Sequence, residues 1–264
     1  MTTPTALLAL AASAAREAGE LLRDGLGEAR TTVETKSSAT DMVSEMDRAA
    51  EALLVDRLLG ARPDDGMLGE EGTDRVGSSG VRWIVDPLDG TTNYLYRLPG
   101  FAVSIAAEVD GVVAAGVVYD VVHDELFAAS RGDGATRDGH PIRCSGADDL
   151  ATALVATGFS YDPQRRARQA EVVVGLLPQV RDLRRFGAAS VDLCAVACGR
   201  VDAYYERGLA PWDLAAGALI AEEAGAVVTD LRGRRLGDGS VLAAAPDVAE
   251  GLRALLVSLG APDA

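Results

Sequence analysis

The sequence predicts a layered α/β protein, and three features of the chain support that fold class. Residues 101–130 are typical of an antiparallel meander, because apolar strands are joined there by short turns. Residues 150–259 instead alternate between strand and helix patterns. The chain has 264 residues, of which 48% are hydrophobic and 25% charged, so it can bury a substantial core.

Apolar periodicity and glycine or proline stops define the elements of the first half. Before the meander we expect helices at residues 5–25 and 47–59 and strands at residues 31–35, 66–69 and 81–86. Within the meander we expect strands at residues 101–109, 112–118 and 125–129, with Asp110-Gly111 as the first turn.

The second half follows a polar stretch near residues 131–148, which predicts a seam between subdomains. We therefore expect an N-terminal α+β subdomain at residues 1–140 and a C-terminal α/β subdomain at residues 141–264. The expected strands are at residues 153–157, 182–186, 203–206, 226–229 and 241–244, and the expected helices at 164–178, 190–198, 212–224 and 248–259.

Charge and cysteine content limit the partners and the compartment. The formal net charge is −15, which disfavours nucleic acid and anionic membranes as electrostatically driven partners. Three cysteines without framework spacing indicate a reducing compartment. The apolar start lacks a basic region, and no segment approaches a membrane-spanning length. We therefore expect a cytoplasmic protein.

The segment Asp86-Pro87-Leu88-Asp89-Gly90-Thr91-Thr92-Asn93 is the strongest functional signal. Two carboxylates follow an apolar strand, and a glycine and two hydroxyl residues come next. Carboxylate oxygens bind hard cations, and the backbone N–H groups of Gly90 and Thr91 can bind a phosphate. Asp-Pro and Asp-Gly also occur in ordinary turns, so this segment alone leaves both interpretations open.

Three further acidic segments favour the binding site. They are Gly69-Glu70-Glu71-Gly72, Pro211-Trp212-Asp213 and Thr40–Asp47. Each has an ordinary structural explanation: a solvated turn, a helix start, and a capping box of Ser44 and Asp47. Together with the segment at 86–93 they supply Glu70, Asp86, Asp89 and Asp213, an all-oxygen set that favours Mg2+ over zinc.

The chain resembles the inositol monophosphatase family over nearly its whole length. The resemblance implies an αβαβα sandwich, a lithium-sensitive phosphatase and a homodimer. The matching pieces are Lys36-Ser37-Ser38 with Asp41 and Asp47, G-E-E at 69–71, D-P-L-D-G-T-T-N at 86–93, Gly187-Ala188-Ala189-Ser190, V-D-A-Y-Y-E at 201–206 and W-D-L-A-A-G at 212–217.

The resemblance also implies the roles of the site residues. Thr91 would position the attacking water with Asp47 hydrogen-bonded to its hydroxyl, and Glu70 would assist catalysis. Roughly two or three Mg2+ ions would be bound, by Glu70, Asp86, the Leu88 carbonyl, Asp89 and Asp213. Asp213 would thus be the one ligand from the C-terminal subdomain.

Glu206 is the expected specificity residue, because a carboxylate near the metal site can accept hydrogen bonds from vicinal hydroxyls of a polyol. Ser190 would cap the helix that follows the substrate loop. The expected substrate-binding residues are Glu70, Leu88, Asp89, Gly90, Thr91, Gly187, Ala188, Ala189, Glu206 and Asp213.

The predicted function is Mg2+-dependent hydrolysis of inositol 1-phosphate to inositol and phosphate. One alternative keeps the chemistry but acts on histidinol phosphate, fructose 1,6-bisphosphate or adenosine 3′,5′-bisphosphate. Arg184 and Arg185 could read a second phosphate, although an exposed basic strand edge is the favoured interpretation. A second alternative is a non-catalytic binding or regulatory member of the family.

Overall fold

The computed structural model describes residues 3–26 and 44–264, and of Ser44 only the backbone. The strand predicted at residues 31–35 and the motif residues Lys36, Ser37, Ser38 and Asp41 lie outside the described residues. The same holds for the predicted capping box, because it needs the side chain of Ser44.

The described residues form seven α-helices and two mixed sheets. The helices are α1 (Pro4–Gly25), α2 (Ser44–Ala61), α3 (Thr91–Tyr96), α4 (Pro163–Leu176), α5 (Ala189–Ala197), α6 (Pro211–Glu223) and α7 (Pro246–Ser258). The first sheet contains β1 (Gly66–Gly69), β2 (Asp74–Arg75), β3 (Val81–Asp89), β4 (Ala102–Val109), β5 (Val112–Asp120), β6 (Glu125–Ser130), β7 (Gly134–Arg137) and β8 (His140–Pro141). The second contains β9 (Leu154–Thr157), β10 (Asp182–Arg184), β11 (Ala203–Arg207), β12 (Val227–Thr229) and β13 (Ser240–Ala244).

These elements stack in five layers, and the predicted αβαβα sandwich is confirmed. Helices α1 and α2 cover one face of the first sheet, α5 and α6 fill the space between the sheets, and α4 and α7 cover the second sheet. The strand order of the first sheet is β2-β1-β3-β4-β5-β6-β7-β8, with only β1 and β3 parallel. The order of the second is β10-β9-β11-β13-β12.

The outer and middle helices differ in sequence because they differ in burial. Helix α1 buries a single stripe at Leu7, Ala11, Ala14, Ala18 and Leu22, as expected for a helix packed on one side. Helices α5 and α6 are apolar almost all round, because a sheet lies on each side of them. The middle layer therefore carries few polar residues, and Ser190 and Asp192 of α5 are buried among its apolar side chains.

Most predicted elements appear within a few residues of their expected bounds. Helix α2 begins at Ser44 rather than at residue 47, and helix α3 was not predicted. Strand β3 does not end at Asp86 but continues to Asp89. The pairing with β4 jumps from Asp86–Ser104 to Asp89–Ala102, so an extra residue bulges in β3.

The proposed subdomain boundary at residues 140 and 141 stays a prediction. The first sheet ends at Pro141 and the second begins at Leu154, in agreement with a seam. Both sheets nevertheless bury side chains in the same middle layer, for example Ile84 of β3 and Tyr204 of β11. Within the described residues, no helix is long and apolar enough to span a bilayer.

Candidate active site

The site forms where bulged strand β3 turns into helix α3. Gly90 joins them with a φ of +91°, a left-handed conformation that costs L-residues free energy. A Cβ on Gly90 would also lie 2.5 Å from Gly100 O and 3.1 Å from the Ala188 Cβ. Glycine is thus required twice, for its conformation and for the close approach of Gly100 and Ala188.

Three carboxylates converge at this corner. Asp86 and Asp89 come from β3, and Asp213 comes from the first turn of α6 in the middle layer. Each contributes one oxygen to a group whose oxygens all lie within 4.8 Å of one another. Segments more than 120 residues apart in sequence therefore build one acidic cluster.

Burial and mutual repulsion disfavour the charged form of these groups. Burial raises the pKa of Asp89 to about 7, and the charge of Asp213 adds to the shift. Burial likewise raises the pKa of Asp213 to about 6. The pKa of Asp86 lies well above its ordinary range because of burial and the charges of Asp89, Glu70 and Asp213.

Hydrogen bonds fix the orientation of all three carboxylates. Leu88 N–H donates to Asp86 Oδ1 at 3.0 Å, and Ala210 N–H donates to Asp213 Oδ2 at 2.6 Å. The Ser190 N–H and hydroxyl both donate to Asp89 Oδ2, at 2.7 and 2.6 Å. The predicted capping role of Ser190 is wrong: α5 begins at Ala189, and the fully buried Ser190 side chain reaches Asp89 instead.

Glu70 is positioned by a carboxylate that sequence reasoning missed. The buried Glu51 of α2 accepts hydrogen bonds from Glu71 N–H at 2.8 Å and from Thr73 N–H at 3.0 Å, which closes the loop around Glu70. Glu70 N–H itself donates to Val85 O of β3. Burial raises the pKa of Glu70, and the charge of Asp89 contributes.

Thr91 and Asp47 differ in their hydrogen bonds. The Thr91 hydroxyl donates to the Leu88 carbonyl at 3.1 Å. Asp47 is 4% exposed, and its Oδ1 has no hydrogen-bond partner among the residues that the structure describes. Burial and the charges of Glu71 and Glu70 raise the pKa of Asp47 to about 8. The predicted hydrogen bond between Asp47 and Thr91 stays a prediction.

A cleft of about 320 Å3 opens in front of the acidic cluster. It is lined by every predicted metal and substrate residue: Glu70, Asp86, Leu88, Asp89, Gly90, Thr91, Gly187, Ala188, Ala189, Glu206 and Asp213. Asp47 is not among the lining residues. The geometry thus brings the predicted ligands and substrate residues together, while their roles remain to be tested.

Glu206 lines this cleft together with the acidic cluster. Tyr204 O–H donates to Glu206 Oε2 at 2.7 Å, and a Cβ on Gly158 would overlap the Glu206 carboxylate. Burial raises the pKa of Glu206 to about 7. A carboxylate so closely enclosed has a fixed orientation, as a residue that recognises hydroxyls needs.

The two neighbouring arginines have different surroundings. Arg184 is exposed and pairs with Asp182 at 2.7 Å, as the surface interpretation expects. Arg185 is also exposed, yet it lines the cleft and folds over Gly187. Its charge acts on Glu206 and on the fully buried Asp192, whose Oδ1 has no hydrogen-bond partner in the described part of the chain.

The donor set fits a hard divalent cation. Its members are buried or half-buried carboxylate oxygens, each already oriented by a hydrogen bond. Their raised pKa values mean that the ionised cluster lacks compensating positive charge, which a bound cation would supply. Asp86, Asp89 and Asp213 are thus a group that could hold a metal ion.

A family model described as the inositol monophosphatase family matches residues 4–260. The chain belongs to this family. It is therefore classed with the phosphoric monoester hydrolases of that family. The acidic cluster and the cleft described above lie inside the matched range.

Several relatives share most of their length with this chain. The inositol-1-monophosphatase SuhB of Mycobacterium tuberculosis (strain H37Rv) is 48% identical over 240 residues, covering 87% of this chain and 83% of that protein. Nus factor SuhB of Escherichia coli (strain K12) is 40% identical over 252 residues, 94% of each protein. The solved structure of Mycobacterium tuberculosis SuhB matches with a TM-score of 0.87 and 42% identity over the full length of both chains.

Proposed function

We propose that this protein is a Mg2+-dependent phosphatase that hydrolyses inositol 1-phosphate to inositol and phosphate. The observation that carries the proposal is the convergence of Asp86, Asp89 and Asp213, whose carboxylate oxygens lie within 4.8 Å of one another. Glu206 lines the same cleft. A hard-cation site and a hydroxyl acceptor in one cleft match the phosphate and the hydroxyls of a phosphorylated polyol.

The metal ligands would be Glu70, Asp86, Asp89, Asp213 and the Leu88 carbonyl. When bound there, Mg2+ would neutralise phosphate charge and lower the pKa of a bound water, which makes that water a better nucleophile at neutral pH. The chain's own contribution is to orient the ligands: Ser190 holds Asp89, Ala210 N–H holds Asp213, and Glu51 closes the loop of Glu70.

Residues on either side of the cluster would handle the substrate. Thr91 would orient the attacking water, with Asp47 as the proton acceptor behind it, and the Gly90 and Thr91 N–H groups would bind the phosphate. The backbone of Gly187–Ala189 would face the inositol ring. Glu206 would accept hydrogen bonds from vicinal hydroxyls, which rejects substrates that lack them.

A substrate panel tests the proposal. Phosphate release is measured from inositol 1-phosphate, histidinol phosphate, fructose 1,6-bisphosphate and adenosine 3′,5′-bisphosphate, with Mg2+ and then with chelator. We expect the highest kcat/KM for inositol 1-phosphate and no turnover with chelator. A higher kcat/KM for another compound of the panel would agree with the metal chemistry but contradict the substrate assignment. Turnover without metal would contradict the mechanism.

Arg185 supports the bisphosphate alternative more than Arg184 does, because only Arg185 lines the cleft. The adjacent pair offers a matched comparison of Arg185→Gln with Arg184→Gln. If bisphosphates are the substrates, Arg185→Gln alone would raise the KM for fructose 1,6-bisphosphate relative to fructose 1-phosphate.

A regulatory role is the second candidate, since the relative from Escherichia coli is named Nus factor rather than hydrolase. The complete ligand set does not require that role. A pull-down with the Asp86→Asn variant would test it, because recovery of a stoichiometric protein partner without catalysis supports the role. We also infer that the protein is cytoplasmic and that it forms a homodimer. Sedimentation of the purified chain would check the dimer.

A further inference from the structure

A second cavity, larger than the cleft, lies on the other side of the segment Leu209–Pro211. Its volume is about 540 Å3, and it opens between β3 to β5 of the first sheet and the loop from β12 to β13 of the second. We call it the rear groove and define it by its floor residues Leu214, Ala215, Ala218 and Leu219. Leu209 and Ala210 line both the rear groove and the cleft, so they form the wall between them.

The floor of the rear groove is one face of helix α6. Pro211, Leu214, Ala215, Ala218 and Leu219 line it with spacings of three and four residues, which places them on the same side of the helix. The two alanines leave space that larger side chains would fill. Ile84 and Leu236 extend the apolar surface, so the groove is a site for a hydrocarbon body.

Among the described residues, the rim of the rear groove carries three arginines and two glutamates, although the chain is acidic overall. Arg82 pairs with Glu108 at 3.0 Å, and Arg131 pairs with Glu222 at 3.2 Å. Arg235 also lines the groove, and within residues 3–26 and 44–264 it makes no hydrogen bond or ion pair. A guanidinium available for a carboxylate thus stands beside an apolar floor, on a chain of net charge −15.

We propose that the rear groove binds a free, small amphipathic anion, with its acidic head on Arg235 and its apolar tail along the α6 floor. The cavity volume lies within the range of small-molecule sites, about 300–1,000 Å3. Arg82 and Arg131 are already paired with glutamates, so Arg235 is the one arginine among the described residues of the groove that can bind a head group. This binding does not depend on the proposed hydrolase activity.

Calorimetric titration with octanoate tests the proposal, and octanol serves as the uncharged match. The full chain is titrated with Mg2+ and again with chelator. We expect one saturable octanoate site with the same affinity in both conditions, and weaker binding of octanol. Binding that requires Mg2+ would place octanoate in the metal cleft and would overturn the proposal, as would the absence of saturable binding.

Two variants locate the site. Arg235→Glu should weaken octanoate binding at least about tenfold while leaving basal phosphatase activity unchanged. Arg168→Glu, the same charge change on an exposed residue of α4, should leave binding intact. Ala215→Phe should fill the floor and abolish binding in a protein that melts normally. Equal affinity in wild type and Arg235→Glu, or equal losses in Arg235→Glu and Arg168→Glu, would refute the assignment.

Discussion

At the level of single residues, partners far away in sequence hold acidic residues of the site in place. Ser190 is the clearest case, because its hydroxyl and N–H both donate to Asp89, 101 residues earlier. The sequence allowed a prediction of Asp89 from its local motif. It could not reveal the partner, since a serine at the start of a helix is typical of an ordinary cap.

Ser190→Ala is expected to weaken metal binding, because Asp89 loses the only side-chain hydroxyl among the hydrogen-bond donors that orient it in the described residues. Such outer partners of metal ligands typically contribute about 10- to 100-fold in affinity. The Mg2+ concentration for half-maximal activity should therefore rise about tenfold. Ser145→Ala is the control, since Ser145 donates to Asp202 at 2.6 Å outside the cleft. Equal Mg2+ dependence of the two variants would contradict the role given to Ser190.

Glu206→Ala is expected to impair substrate recognition selectively. Hydrogen bonds to a charged group contribute roughly 1.5–3 kcal/mol each, so kcat/KM for inositol 1-phosphate should fall about 10- to 100-fold. Hydrolysis of 4-nitrophenyl phosphate, which offers no vicinal hydroxyls, should change little. A parallel loss with both substrates would mean that Glu206 supports the fold or the metal site instead.

At the scale of elements, the corner between β3 and α3 was the hardest to predict. The predicted strand stopped at the Asp-Pro dipeptide, which is typical of a turn, but the bulge lets β3 carry Asp86 and Asp89 to the cleft together. Helix α3 has six residues, too few for apolar periodicity to reveal it. Longer elements such as α1 and α6 were predicted within one residue or two.

Gly90→Ala should damage this corner through two effects. A left-handed conformation costs an alanine about 1–2 kcal/mol, and the new Cβ would also press on Gly100 O and Ala188. Activity should fall at least tenfold. Gly139→Ala is the matched control, because Gly139 has a φ of +77° and open space around its Cβ position.

Denaturation and rate measurements on both variants separate the two effects. Gly139→Ala should lower the free energy of unfolding by the same conformational cost of about 1–2 kcal/mol and keep full activity. If Gly90→Ala remained fully active, the close approach of Gly100 and Ala188 to Gly90 would have no functional importance.

At the scale of the whole molecule, the layered fold was predictable because meander and alternation are visible along the chain. The cleft and the rear groove were not, since both form between layers. Their walls come from β3, α6 and loops of the second sheet. The same layering buries the acidic cluster, so we expect the charges of the cluster to affect stability as well as activity.

The metal-free protein should lose stability as pH rises. The folded pKa values of Asp213, Asp89 and Asp47 are about 6, 7 and 8, all above the ordinary aspartate value of 3.8. The folded state therefore binds protons more tightly than the unfolded state. This stabilisation is complete below about pH 4 and is lost as pH rises through 6 to 8.

Thermal unfolding in chelator should accordingly show a falling Tm between about pH 4 and pH 8. Addition of Mg2+ at pH 8 should restore Tm, because bound cations compensate the ionised carboxylates. A metal-free protein whose Tm rises across this range would contradict the burial and repulsion described for the cluster.

Asp86, Asp89 and Asp213 are the proposed metal centre of a phosphatase. The most direct test is the rate of phosphate release from inositol 1-phosphate at saturating Mg2+, for wild type and Asp86→Asn. We expect turnover by wild type and a loss of at least about 100-fold in the variant, since a ligand should matter more than its outer partners. Melting of Asp86→Asn at or above the wild-type Tm in chelator would show that its fold is intact. A folded Asp86→Asn variant with wild-type turnover would contradict the claim.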